Sequence, residues 1–407
     1  MKEKQFIFVG WMIDGSGGPI RDHVLLEIEN GVITELHDGC GIKNITTDRV
    51  TDLSHCTILP PLVDSHLHLF MSGTLDPEIR ERQLTADCNE LEPVIARHLN
   101  YLFSHGVLAV RDGGDRGGCA LGYSRRMEAS FPVQIKTTGR AWKQKNRYGS
   151  LIGRSPLEGE SLAEGFIRET DEADWVKLVN SGLNSLKRFG RETAGQFTVE
   201  EMTRLVEVAG LQGKKVMVHA NGVLPVKEAL QAGCHSIEHG FFMGRENIEL
   251  MAEKNVVWVP TAYTMKAYGE NSSAAGGSVD LKVVRKNLEH QLDQMESARQ
   301  AGVTIALGTD SGSLGVLHGE SVVEEMKLLK KAGFSLPEIV QCATCNGARL
   351  LGIEEFGLLK KGKPATFLVS RGTSGQLPRK LTYLEDIYIA GNPSPMYRKN
   401  PVKTVLR

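Results

Sequence analysis

The chain changes its hydrophobic rhythm twice. Up to about residue 57, apolar and polar positions partly alternate, as in the runs QFIFVGWMID and HVLLEIENGVITEL. Alternation puts every second side chain on one face of a strand, and Asn30-Gly31 supplies a turn inside the second run. No segment there has the period of a helix, so the reading is a small β unit. The pattern then becomes apolar strand-like runs separated by longer stretches of helical period. The runs are 59–69, 106–114, 131–140, 173–181, 214–220, 234–240, 255–263 and 302–311. Helical periodicity lies between most of them, for example over 199–213 and 287–302. Several of these stretches end in Gly or Ala-Gly, as helices commonly do. From about 357 short strands return, in GLLKKGKPATFLVSRG and YLEDIYIAGN.

This pattern predicts an α/β protein. Eight strand–helix units over 58–356 are what a (β/α)8 TIM-type barrel requires. The two ends share one texture, so residues 1–57 and 357–407 are expected to pair in one small β-sandwich domain, discontinuous in sequence. No tandem repeat is evident.

Composition narrows the function classes. Lysine plus arginine (48) balances aspartate plus glutamate (49) over 407 residues. Such a balance gives no electrostatic footprint for nucleic acid or a charged membrane surface. No apolar run is long enough to span a bilayer, and the N-terminus makes a poor signal peptide. The seven cysteines are odd in number and scattered, for which a reducing cytoplasm is the simplest setting. Cys342 and Cys345 have redox or half-site spacing without a second pair, and read as small core residues. The expected partner is a small-molecule substrate; a homo-oligomer stays open.

Candidate chemistry collects at strand ends, the rim where such barrels carry their sites. His66 and His68 end the first run and share one face, with Leu67 opposite. They are two polar edge residues or a pair that turns onto one ion. His219 ends the fifth run, His239 the sixth and Asp310 the eighth. Lys177 lies inside the fourth, among Trp175, Val176, Leu178 and Val179. A lysine there snorkels or pairs with an acid; alternatively, desolvation frees its amine. A neutral amine can take up carbon dioxide as a carbamate, whose two oxygens can bridge two cations.

The set LVDSHLHL, DWVKLVNSG, VMVHA, SIEHG and LGTDSG resembles the amidohydrolase superfamily, in its prolidase-like and imidazolonepropionase-related branch. The resemblance covers nearly the whole chain, including CATCNGARLLGIEEFGLLKKGKPA. It implies two divalent ions, zinc foremost. His66, His68 and Asp310 would hold the first, His219 and His239 the second, and carboxylated Lys177 would bridge them. Two features depart from relatives. Gly362-Lys363-Pro364-Ala365-Thr366-Phe367 replaces their GxxADL, and residues 139–155 replace a Gly-Gly-His loop after the third strand.

The expected activity is therefore that of a binuclear zinc hydrolase. A metal-bridging hydroxide would cleave the amide of a small carboxylate-bearing substrate, such as a dipeptide, an Xaa-Pro dipeptide or an N-acyl amino acid. Asp310 would carry the proton to the leaving nitrogen. The basic 139–155 loop reads as a solvated surface or as a carboxylate clamp through Arg140 and Arg147. Tyr263 is a candidate oxyanion donor and His318 a candidate substrate contact. Arg111 and Asp112 are expected as a buried pair near the site. The alternative is a mononuclear deaminase or a cyclic-amide or lactone hydrolase of the same superfamily. Deaminases there place a glutamate soon after the fifth-strand histidine, whereas His219 is followed by Ala220-Asn221-Gly222.

Overall fold

The computed structural model of the protein describes residues 4–39, 50–127, 131–169, 171–274 and 279–398. The parts of the expected end domain at 1–3, 40–49 and 399–407 lie outside the described residues.

Both chain ends enter one seven-stranded sheet. Its order is Asn392–Pro393, Asp386–Ile389, Phe367–Arg371, Val50–Leu59, Lys4–Met12, Arg21–Glu29 and Val32–His37. Asn30 and Gly31 both have positive φ, 51° and 77°, the backbone that a two-residue hairpin turn requires. Strand Val50–Leu59 joins the two ends: it runs parallel to Lys4–Met12 on one side and antiparallel to Phe367–Arg371 on the other. The strands of both ends thus form one hydrogen-bonded sheet, whose far strand returns to the C-terminal segment through Ile33 N to Lys363 O (2.9 Å) and Gly362 N to Ile33 O (2.8 Å). Ile7, Val9, Leu26, Ile28, Ile58 and Phe367 are buried on it.

Pro60 and Pro61 separate this sheet from the parallel strands. They donate no backbone N–H, so the ladder cannot run through them. The first predicted run is accordingly split. Leu59 stays with the end sheet, and Leu62–Leu67 opens the parallel series. This series continues as Val107–Asp112 and Gln134–Thr137, then Trp175–Val179, Lys215–Ala220, Ser236–His239 and Val257–Val259. Asp174 N donates to Thr137 O (3.0 Å), linking the two groups. The short strands Ala141–Trp142 and Gly153–Arg154 add to the edge of the second.

The eighth predicted run is not a regular strand. Residues 304–311 lie between the last strand and the first, held by Trp258 N to Thr304 O (3.0 Å) and Ser65 N to Leu307 O (2.8 Å). Gly308 explains the irregularity. A Cβ there would lie 2.4 Å from Val259 Cγ1 and 2.9 Å from His66 N, so only glycine permits the approach.

Helices alternate with these strands, among them Cys88–Ser104, Val199–Leu211 and Leu281–Gln300. Val199–Leu211 starts at a reciprocal cap between Thr198 and Glu201 and buries Met202, Leu205, Val208 and Ala209. Cys342 and Cys345 are buried and free, on a wide helical turn. Cys88 and Cys119 form a disulfide, which departs from the reading of scattered, reduced cysteines. Among the described residues no helix is long and apolar enough to cross a membrane.

Candidate active site

All six strand-end residues line one cavity of about 230 Å³. His66 and His68 come from the end of Leu62–Leu67 and the residue after it, Lys177 from Trp175–Val179, and His219 from Lys215–Ala220. His239 is the last residue of Ser236–His239, and Asp310 follows the bridged segment. His239 (φ 68°) and Asp310 (φ 56°) both adopt the left-handed backbone, costly for residues with a Cβ and concentrated at functional sites.

Ligand atoms of His66, His68 and Asp310 lie within 4.8 Å of one another, a grouping able to hold a metal ion. Asp310 Oδ1 is 3.7 Å from His66 Nε2 and 3.6 Å from His68 Nε2. Lys177 Nζ is 3.4 Å from His66 Nε2. The His239 ring stands 4.9 Å from that of His66 and 4.6 Å from that of His219.

Each imidazole has one ring nitrogen engaged from outside. His66 Nδ1 meets Glu238 Oε2 (2.5 Å), His68 Nδ1 donates to Gly114 O (2.8 Å), and His239 Nδ1 meets Thr261 Oγ1 (2.7 Å). His219 uses Nε2 instead, toward Gly182 O (3.3 Å). Such outer bonds fix ring orientation and leave the other nitrogen for a cation. Burial holds all four imidazoles below their usual pKa, His68 at about 4 and His219 at about 3. They are neutral at pH 7, the form that ligates. Burial also lowers Lys177 and raises Asp310. The donor set and its protonation fit divalent metal.

A supporting layer escaped the sequence reading. Arg111 does not pair with Asp112. Its guanidinium meets Glu238 Oε1 (2.9 Å), Ser65 O (2.7 Å) and Ser236 Oγ (3.0 Å), and stacks over Trp175. Glu238 thus joins Arg111 to His66. Asp112 instead accepts from Leu69 N and Gly114 N (2.8 Å each). Asp64 accepts from Thr309 Oγ1 (2.5 Å) and Thr309 N (3.0 Å), tying the first strand to the Asp310 segment. A carboxylate one or two residues before a strand-end histidine was the available signal for Asp64 and Glu238.

The expected substrate residues are not brought to the cavity. Arg140 pairs with Glu169 (2.9 Å), and Arg147 donates to Ala194 O and Gly195 O from the surface. Tyr263 lies outside the lining, with Lys266 Nζ 5.4 Å from its ring centre. His318 is buried behind the site. It stacks on His98 at 3.9 Å, and its Nε2 meets His68 O at 3.1 Å. The 139–155 loop does reach the cavity, through Tyr148, Gly149, Leu151 and Ile152.

An α/β fold with a rim of buried, neutral imidazoles and two carboxylate-backed strands offers a candidate divalent-metal site. Residues 57–405 match the model of the amidohydrolase family, and the chain belongs to that family. The ochratoxinase of Aspergillus niger is 28% identical over 390 residues, 88% of this chain and 79% of that one. The imidazolonepropionase of Paraburkholderia phymatum is 25% identical over 395 residues, 86% and 87% of the two chains. A crystal structure of a Xaa-Pro dipeptidase with methionine bound in its active site superposes with a TM-score of 0.78 at 24% identity. It covers 96% of this chain and 100% of its own. The superposition gives the fold of this amidohydrolase-family chain as a TIM-type barrel with an extra domain. Family membership supports a hydrolase acting on C–N bonds.

Proposed function

We propose that this protein hydrolyses the amide bond of a small carboxylate-bearing substrate at a two-metal centre held by His66, His68, Lys177, His219, His239 and Asp310. The observation that carries this reading is the convergence of all six on one cavity. Zinc would suit the imidazole and carboxylate donors, and Lys177, carboxylated to a carbamate, would add oxygen donors to the same centre. Divalent cations bound there would polarise the scissile carbonyl and make water acidic enough to attack at neutral pH.

The chain's own groups do the rest. Glu238 and Gly114 O hold His66 and His68 in register. Asp310 has Oδ2 fixed by Ser313 Oγ (3.0 Å), leaving Oδ1 facing the histidines. Burial raises its proton affinity, which suits a carboxyl that takes a proton from water and passes it to the leaving nitrogen. Among the similar proteins named above, the Xaa-Pro dipeptidase is by its name a peptide-bond hydrolase, which supports an amide as the bond cleaved here.

A second reading rests on one observation. Only His66, His68 and Asp310 come within a single ion's reach as a group among the described residues. This favours a mononuclear deaminase or cyclic-amide or lactone hydrolase.

Metal content separates the two. Protein grown with zinc and bicarbonate should carry about two ions per chain, and Lys177→Ala should lose one or both. One ion per chain, unaffected by Lys177→Ala, would refute the two-metal centre.

A further inference from the structure

The cavity contains a cation that the metal centre does not use. Arg80 lines it from helix Pro77–Thr85, outside the strand series. Its Nη1 donates to Ser72 O (3.0 Å) and Gly312 O (3.2 Å), which aims the group beside the residue two after Asp310. Among the described residues no carboxylate lies within ion-pair distance of it. The arginines of the basic 139–155 loop, by contrast, are engaged elsewhere, Arg154 with Glu169 and Asp171. A half-buried guanidinium without an acid retains its charge and a forked set of donors, the geometry that carboxylates match.

The rest of the lining mixes apolar side chains with the polar but uncharged Tyr148, Asn184, Asn221, Thr264, Tyr268 and Ser313. Leu186, Phe241 and Met265 form one cluster beyond His239, and Phe70 and Met71 flank His68. Among the described residues Asp310 is the single carboxylate in the lining. A free dipeptide would bring an ammonium into this cavity and find no acid to meet it except the one committed to chemistry. An uncompensated buried charge is costly, so the cavity selects against it.

Building on the hydrolase reading above, we infer that Arg80 anchors the α-carboxylate of an N-acyl amino acid, with an apolar acyl group against Leu186, Phe241 and Met265. Arg80 stands on the Asp310 side, so the carboxylate belongs to the amine half that leaves. Water adds its oxygen to the acyl carbon, the C–N bond breaks, and both water protons end on the nitrogen. The products are an acyl carboxylate and an amino acid with its ammonium.

The test compares N-benzoyl-L-phenylalanine, N-benzoyl-L-phenylalaninamide and L-leucyl-L-phenylalanine on the zinc-loaded enzyme. The acid should exceed both others in kcat/KM by about 10- to 100-fold, as a charge-assisted bond to carboxylate implies. Arg80→Gln should shrink the acid-to-amide ratio at least about tenfold, through KM, and Arg80→Lys should shrink it less. A purely structural role, through Ser72 and Gly312, would depress acid and amide alike and overturns the inference. Inhibition of the wild type gives an arm independent of variant folding: L-phenylalanine should compete better than L-phenylalaninamide. Preference for the dipeptide, or equal rates on acid and amide, refutes the Arg80 assignment while leaving the hydrolase standing. Turnover of none of the three overturns the amide-hydrolase reading and the inference with it.

Discussion

Glu238 shows how much a single carboxylate can carry. It is fully buried and accepts from Arg111, His66 and Ser236 at once. Its loss would leave the Arg111 charge buried without a partner, and one-sided removal of such pairs costs about 3–5 kcal/mol. It would also free His66 Nδ1, and outer partners of metal-binding histidines are worth about 10- to 100-fold in metal affinity. Glu238→Ala should therefore lower unfolding free energy by about that amount in urea titrations. Glu238→Gln keeps the volume and should retain more stability, yet lose metal about 10- to 100-fold more readily to a competing chelator. Wild-type metal affinity in Glu238→Gln would show that the His66 contact tunes nothing.

At the scale of elements, the loop after strand Val107–Asp112 links the rim to a covalent bond. Gly114 O receives His68 Nδ1–H, and the next residue, Asp115, accepts from Cys119 N and Ala120 N to start helix Cys119–Arg126. Cys119 is joined to Cys88, 31 residues earlier, at the start of the preceding helix. Closing a loop of that length stabilises a fold by about 3–4 kcal/mol in the chain-entropy treatment. Cys88→Ser should lower stability by about 2–4 kcal/mol and loosen metal retention through His68. An unfolding midpoint insensitive to reductant would show that the two remain thiols in solution. Neither this bond nor the Arg111–Glu238 pair was legible in the sequence, because partners 31 and 127 positions apart leave no local pattern. The strand ends were legible: a polar residue closing an apolar run betrays itself, and five such residues meet at one cavity with Lys177 from inside a strand. Arg80 was hidden for the opposite reason. It sits on a helix of polar texture, PEIRERQLT, where an arginine is ordinary until the fold turns it inward. Residues 302–311 read as a strand because their apolar content is that of one; the close approach at Gly308 appears only once His66 and Val259 are neighbours.

For the whole molecule, the question is whether the parallel strands and helices stand without the C-terminal segment. Packing says they do not. Leu368, Leu377, Leu381, Leu384, Ile387 and Tyr397 belong to the same continuous core as Leu62, Leu102 and Val107. Gly106 faces the side chains of Leu368 and Leu384 so closely that a Cβ there would lie under 3 Å from both. Burying six such side chains contributes about 1.5–3 kcal/mol each, an upper estimate that is comparable to the roughly 5–15 kcal/mol net stability of a domain. Removal would also bare the Leu59–Leu368 edge of strand Val50–Leu59, an open ladder that invites aggregation. Deleting residues 357–407 should thus give insoluble protein rather than a smaller folded enzyme, although none of the six cavity residues is touched. Sedimentation of lysate and zinc content of any soluble fraction check this. A soluble truncated chain that unfolds cooperatively and retains metal would mean that the two chain ends form an accessory unit, and that the shared core is packing without consequence.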